Sequence, residues 1–174
     1  MNSDRKHSNH TVSIELNSKF MNKHSFWYWV VFVLLTIWQL PQFLVAVVML
    51  PFMGKLTVVR DGHFNICFRA SKMSGGISLG PFAYVSDNCA RHDEVIAHEF
   101  DGHTVDSKIF GPLYLFIVGI PSILNAVFSF TDCYYDWYPE RWANKHAGLE
   151  VDKYGNLRFK LKSTLKSTLK STLK

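Results

Sequence analysis

Two long apolar stretches, each interrupted by proline, flank a segment in which hydrophobic and polar residues alternate. From Ser25 to Gly54 the chain runs 30 residues without a charge, and from Ile109 to Thr131 another 23. Each exceeds the roughly 20 apolar residues with which a helix crosses a bilayer core. The first opens on Phe26-Trp27-Tyr28-Trp29, the kind of aromatic cluster found where a helix passes through the headgroup layer. As one helix it would be about 45 Å long, more than the hydrocarbon requires. Pro41 and Pro121 each remove a backbone donor near the middle of a run. The first run is read as one kinked span in preference to two short helices turning at Gln39 to Gln42. For the second, a kinked span and a re-entrant hairpin stay open. A secretory signal would place a shorter apolar core nearer its start, so the first run reads as an anchor that is retained.

Between the runs the period changes to two. Leu56 to Arg60 and His63 to Phe68 read as strands joined by Asp61-Gly62, a pair suited to a type I′ turn. Ile77 to Val85 reads as a third strand, with Pro81 marking an edge or a bulge. The expectation is a small antiparallel sheet beside the membrane. Residues 1 to 24 are polar and without period, which reads as a mobile or surface segment. Residues 25 to 148 read as a single membrane-embedded domain. Beyond it, Leu149 to Leu161 suits a last hairpin about Tyr154-Gly155-Asn156, followed by a lysine-rich repeat through Lys174 read as a basic tail. The fold class expected is thus an α+β membrane protein with two proline-broken helical segments, a small sheet and a central helix.

That central helix carries the chemistry. His98-Glu99-Phe100-Asp101-Gly102-His103 puts two imidazoles and two carboxylates in six residues, after the apolar Val95-Ile96-Ala97. In the zinc-peptidase pattern H-E-x-x-H the histidines stand about 40° apart around the helix and reach one ion, while the glutamate stands beside its bound water. Here the spacing is five, which on a regular helix turns the second histidine by about 140°. A π-bulge absorbs one extra residue and would return His98 and His103 towards one face. The competing reading is a polar interfacial helix, or a former metal site that no longer binds. Gly76-Ile77-Ser78-Leu79-Gly80 matches the serine-hydrolase G-x-S-x-G, but that elbow needs a strand, a sharp turn and then a helix, and more strand follows here. His63 and His92 read as surface residues.

Composition excludes other classes. The formal net charge is only +5, much of it from the tail, and the aromatics concentrate in the apolar runs, so no nucleic-acid surface is indicated. Lipid is the expected partner. Three cysteines, Cys67, Cys89 and Cys133, without C-x-x-C spacing suggest neither a disulfide framework nor a cysteine zinc site.

Several separate motifs together resemble a known group. His98-Glu99-Phe100 with Gly102-His103-Thr104, then Ser107, Leu113-Tyr114-Leu115, Gly119-Ile120-Pro121-Ser122 and Glu140-Arg141-Trp142-Ala143-Asn144 are similar to a family of small bacterial membrane proteins. That family's pattern runs H-E-[FY]-G-H-T-x-Q-S, L-G-P-L-Y-L, G-[IL]-P-S and E-[RK]-W-A-[ND]. Trp38-Gln39-Leu40-Pro41-Gln42 and Gly76 to Gly80 fit it as well. The resemblance covers roughly residues 30 to 148 and implies an integral protein of the bacterial inner membrane. Within the wider zinc-peptidase class, it implies His98 and His103 as ligands, Glu140 from a later helix as third ligand, and Glu99 as general base. It also implies Asn144 as a residue that orients a ligand histidine. Asp101 is inserted in the motif and Asp106 stands where the group has glutamine; an inserted acid could bind the metal itself or mark an inactive copy. The function expected is a membrane protein with a zinc metallopeptidase-like site acting on peptide or protein substrates. The alternatives are a non-catalytic membrane protein with a degenerate metal site and, more distantly, a serine hydrolase using Ser78. Sharing one metal between His98, His103 and Glu140 requires the second apolar run to begin and end on one side, which predicts a hairpin around Pro121.

Overall fold

The fold is seen in a computed structural model, which describes residues 25 to 160 and the two-residue strand β1 (Ile14–Glu15). The other residues before 25, and the basic tail from 161, lie outside the described residues. The chain is mixed α+β. Two helices, α1 (Phe26–Trp38) and α2 (Leu40–Met53), precede four strands: β2 (Leu56–Gly62), β3 (Asn65–Ala70), β4 (Gly76–Leu79) and β5 (Phe82–Ser86). The sheet order is β1-β2-β3-β5-β4. β2 pairs antiparallel with β3, and β4 with β5, but β1 runs parallel to β2 and β3 parallel to β5. The sheet is therefore mixed, not antiparallel as expected. The stretch expected as one strand, Ile77 to Val85, folds back on itself at Gly80-Pro81, and β5 rather than β4 takes the place beside β3.

Alternation along the strands puts a layer on each face of the sheet. Ile66, Phe68, Ala70, Leu79 and Tyr84 bury against Ala46 and Met53 of α2. Their neighbours Cys67, Ala83 and Val85 face the other way, onto Ile96 and Phe100. Those two residues belong to the central helix, which comprises α3 (Asp93–Ala97), a π-helical segment (His98–His103) and α4 (Thr104–Phe110). The remaining elements are α5 (Ile120–Phe128), α6 (Tyr138–His146), and a hairpin of β6 (Leu149–Val151) with β7 (Leu157–Phe159). Leu149 and Leu157 of that hairpin bury against Ala97, so the hairpin continues the core of the central helix.

Neither apolar run forms a helix long and apolar enough to cross a membrane alone. α1 and α2 meet at 93°, where a single kinked span was the reading taken. At the junction the Gln39 backbone leaves helical geometry and its amide N–H donates to Leu35 and Thr36 carbonyls, while its side chain caps Leu35 as well. Pro41, with no N–H to offer, begins the next helix where none is needed. The second pair, residues 93 to 113 and 115 to 128, bends by 119°. Its bend falls at Gly111 to Tyr114 and not at Pro121. Gly111 holds a positive φ and Pro112 cannot continue the ladder. The chain runs through Pro121 as helix because a π-helical turn over Leu115–Gly119 precedes it. The two bends are tied together. Gln42, fully buried, donates to the Gly111 carbonyl at 2.6 Å and to Ser107 Oγ at 3.2 Å, and Trp38 Nε1 donates to the Lys108 carbonyl.

The β2–β3 turn is also displaced from its expected place. Gly62 pairs with Asn65, so the two turn residues are His63 and Phe64, both at positive φ. A break in register between Val58 and Arg60 shifts the pairing, and tertiary contacts hold the result. Phe64 stacks on Tyr28 at 4.9 Å, Asn65 Nδ2 donates to Thr104 Oγ1, and Lys108 Nζ donates to the His63 carbonyl.

Candidate metal centre

Five residues separate His98 from His103, and the π-helical segment between them makes that spacing a chelating one. The wider turn returns the second imidazole to the face of the first: the rings lie 4.7 Å apart, nearly perpendicular, and both are buried. The inserted Asp101 is turned outwards. Its carboxylate pairs with the Arg60 guanidinium on β2 at 2.7 Å, and Arg60 in turn lies over the Phe100 ring. Asp101 is therefore no part of the histidine cluster; it anchors the widened turn to the sheet.

Gly102 decides what comes next to the histidines. A Cβ there would stand 2.7 Å from the Ala143 carbonyl oxygen and 2.9 Å from its Cα, so the glycine lets α6 pack backbone against backbone on the π turn. α6 starts with Pro139 in its first turn, and one residue later Glu140 points at the two imidazoles. Glu140 Oε2 lies 2.9 Å from His98 Nε2 and 3.3 Å from His103 Nε2. Among the described residues, His98, His103 and Glu140 form the group that could hold a metal ion, with ligand atoms within 4.8 Å of one another and all three side chains buried. The 119° bend between residues 93–113 and 115–128 turns the chain back after His103, and Glu140 of α6 reaches both imidazoles.

Each member is held from behind. Asn144, one turn after Glu140, places Oδ1 2.8 Å from His98 Nδ1. His103 Nδ1 faces the Asp106 carboxylate at 3.5 Å, and the other Asp106 oxygen lies 3.0 Å from His146 Nδ1. Ser122 on α5 and Tyr134 both donate to Glu140 Oε1, at 2.6 Å and 3.0 Å. The sequence places Asn144 behind a histidine but gives Tyr134, Ser122 and His146 no part in the site. A hydroxyl carries no spacing signal, and none of these contacts is local in the chain.

The donor set favours a cation. An amide oxygen only accepts, so a proton on His98 Nδ1 satisfies Asn144, and in that tautomer the Nε2 lone pair is available to a metal beside a carboxylate oxygen 2.9 Å away. Two acceptors in that position repel unless a positive charge sits between them. In the metal-free protein a proton bridges His103 to Glu140: burial alone would lower the His103 pKa, but Asp106 and Glu140 outweigh it and raise it to about 10. Burial would raise Glu140, and the two histidines hold it far below the usual carboxylate range instead. A metal would serve the same purpose. Donors at about 2.0–2.1 Å in a tetrahedral zinc site stand about 3.3 Å from each other, close to the 2.9 and 3.3 Å separations here.

That competition sets an expected pH dependence. His103 is raised above its unfolded value of 6.5, so its protonation stabilises the metal-free fold fully below pH 6.5, and that contribution is lost as pH rises towards about 10. Glu140 is depressed, so its contribution is present above about pH 4.5 and lost as the solution is acidified through its folded value. Metal must displace the His103 proton. Between pH 7 and pH 9 metal affinity is expected to rise about tenfold per unit, with close to one proton released per ion from this residue. Zinc titration of the metal-free protein with a pH indicator measures it; uptake without proton release would contradict the proton bridge.

Glu99 stands beside the cluster, not in it. Ser78 Oγ lies 2.7 Å from Glu99 Oε2 and 2.9 Å from the Glu99 carbonyl. A Cβ on Gly76 would meet the carboxylate at 2.4 Å, so this glycine leaves the carboxylate its room. Glu99, His103, Ser122 and Tyr134 share one cavity. Ser78 itself sits within β4, and the turn after it leads into another strand, so the G-x-S-x-G stretch lacks the strand–turn–helix of a nucleophile elbow. His63 and His92 are exposed.

Comparison with protein families, with curated proteins and with solved structures finds no match for this chain.

Proposed function

We propose that this chain is a membrane-embedded zinc hydrolase of metallopeptidase type, with His98, His103 and Glu140 as metal ligands and Glu99 as general base. The observation that carries the reading is the convergence of both Nε2 atoms on one Glu140 oxygen, with Asn144 and Asp106 on the far nitrogens. Three protein ligands leave one position open, the hallmark of a catalytic rather than a structural zinc site. Zinc bound there would polarise a substrate carbonyl and lower the pKa of a water. The chain's own work is done by its side chains. Glu99 takes the proton of the attacking water and delivers it to the departing amine, and the Ser78 hydroxyl holds that carboxylate in place. Asn144 and Asp106 keep the imidazole Nε2 atoms turned inward, and Ser122 and Tyr134 fix Glu140 through its other oxygen.

The bilayer as partner rests on the outer faces of the two bent pairs. Val48 is 69 % exposed, Phe116 70 % and Val127 67 %, beside Phe26, Leu34, Phe52, Ile123 and Phe128. Apolar exposure on this scale is costly in water and suits lipid. With the motif resemblance, this supports an integral protein of the bacterial inner membrane in which both bent pairs enter from one side.

Elemental analysis of detergent-purified wild type and His103→Ala tests the metal. About one zinc per chain, absent from the variant, is expected. No metal in either would leave a membrane protein with a degenerate site, and iron in place of zinc would overturn the peptidase assignment. Glu99→Gln is expected to keep its zinc and to lower hydrolysis of a peptide substrate about 10²–10⁴-fold. Unchanged hydrolysis would remove Glu99 from the mechanism.

A further inference from the structure

The cavity that holds Glu99 and His103 extends well beyond them, to about 500 Å³, the size of a pocket that encloses a small ligand. At one end stand Glu99, His103, Ser122 and Tyr134. The rest is apolar, with Val45 and Met49 from α2 on one wall and Leu115, Phe116, Ile120, Ile123 and Ala126 from the second bent pair on the other. These are the two elements whose outer faces are exposed and apolar.

The third wall is a strand edge. Gly76, Ile77, Ser78 and Leu79 all border the cavity, although alternate residues of a strand point to opposite faces. Four consecutive residues can do so only if the space runs along the outer edge of β4, the last strand of the sheet. Register shows which backbone groups look into it. Leu79 pairs with Phe82 across a two-residue turn and Ile77 pairs with Tyr84, so these residues exchange hydrogen bonds with β5. Gly76 and Ser78 then aim their N–H and C=O groups outwards. The Ser78 carbonyl accepts from the Tyr114 hydroxyl at 3.2 Å, as that orientation requires.

From this we infer that the cavity takes an extended, apolar peptide segment, laid along β4 with its side chains between the two bent pairs and one peptide bond at the Glu99 end. The inference rests on the metallopeptidase reading for the reaction but not for the binding. The outward groups of the β4 edge besides the Ser78 carbonyl, the Ser78 N–H and the Gly76 N–H and C=O, match a peptide and offer nothing to the hydrocarbon of an acyl chain. The apolar walls select side chains of the leucine and valine kind, and their position selects a segment delivered from the bilayer.

The test uses the full chain in nanodiscs and a fluorescent octapeptide of leucine and valine, with empty nanodiscs subtracted for partitioning. Saturable binding is expected, at least tenfold weaker for a serine-rich peptide of equal length and for the same leucine-valine peptide N-methylated at alternate amides. Ala126→Trp, at a cavity-lining position outside the metal cluster, is expected to weaken binding by a similar factor. Equal binding of the N-methylated probe, or displacement by palmitate at the peptide's own concentration, would overturn the inference in favour of an acyl chain. Zinc measured on the same samples separates the two readings. One zinc per chain with no peptide binding overturns this inference and leaves the metal centre intact. Peptide binding without zinc supports the inference and overturns the metallopeptidase.

Discussion

Glu140→Ala is expected to abolish metal binding and to destabilise the metal-free fold together, because four groups converge on that carboxylate. His98 and His103 meet one oxygen while Ser122 and Tyr134 donate to the other, and the side chain is fully buried. Removing one partner of a buried charged pair costs about 3–5 kcal/mol, since the remaining charge keeps its desolvation cost and loses its compensation. Here the stranded charge is the His103 imidazolium, which keeps Asp106 but loses Glu140. Glu140→Gln separates the two effects: its amide oxygen can still accept from Ser122 and Tyr134, but it presents no charge to a metal. The alanine variant is thus expected to lose zinc and several degrees of melting temperature, and the glutamine variant to lose zinc with a smaller thermal loss. Elemental analysis beside thermal unfolding reads both. A full zinc complement in Glu140→Ala would show that the metal is held elsewhere.

What the chain discloses by itself follows from how local each feature is. The two apolar runs are visible because absence of charge over 20 or more residues needs no partner to be read. The π turn was legible for the same reason: two histidines five apart chelate only if a residue is absorbed between them, and the described structure absorbs it over His98–His103. The first bend falls within Gln39 to Gln42, while the second is misplaced because proline is a weaker signal than its reputation. Pro121 is carried inside a helix by the π turn ahead of it, while Gly111-Pro112 and Gln39 make the actual corners. The β2–β3 turn went to His63-Phe64 although Asp61-Gly62 is the better turn pair, because stacking of Phe64 on Tyr28 and the buried Asn65–Thr104 contact outweigh turn propensity. Asp101 could be placed only with the sheet in hand, since its partner Arg60 is 41 residues away. The hydroxyls behind Glu140 and Glu99 are invisible for the same reason: Ser78 reaches Glu99 from the edge strand, and Ser122 reaches Glu140 from a different apolar hairpin.

Gly102→Ala is the substitution on which local and tertiary physics disagree in sign. Inside a helix, exchanging glycine for alanine ordinarily stabilises by about 0.5–1 kcal/mol, because glycine loses more backbone freedom on folding. If the π turn stood free of α6, that gain would appear as a higher melting temperature. The added Cβ would instead stand 2.7 Å from the Ala143 carbonyl, and its neighbours are backbone atoms that cannot rotate aside. The overpacking costs about 1–3 kcal/mol and wins over the propensity gain. It also moves α6 away from the histidines, and a ligand set has to be held within about 0.5 Å to keep its geometry. Gly102→Ala is therefore expected to lower the melting temperature and to weaken zinc binding by at least tenfold, although the residue touches no ligand. Deletion of Asp101 supplies the contrast: it restores a four-residue spacing that an ordinary helix turns onto one face, and keeps a glycine before the second histidine. The deletion variant is expected to retain its zinc while losing the Arg60 ion pair. Zinc lost on deletion and kept in Gly102→Ala would mean that the register of the π turn, and not the close approach of α6, positions the metal ligands.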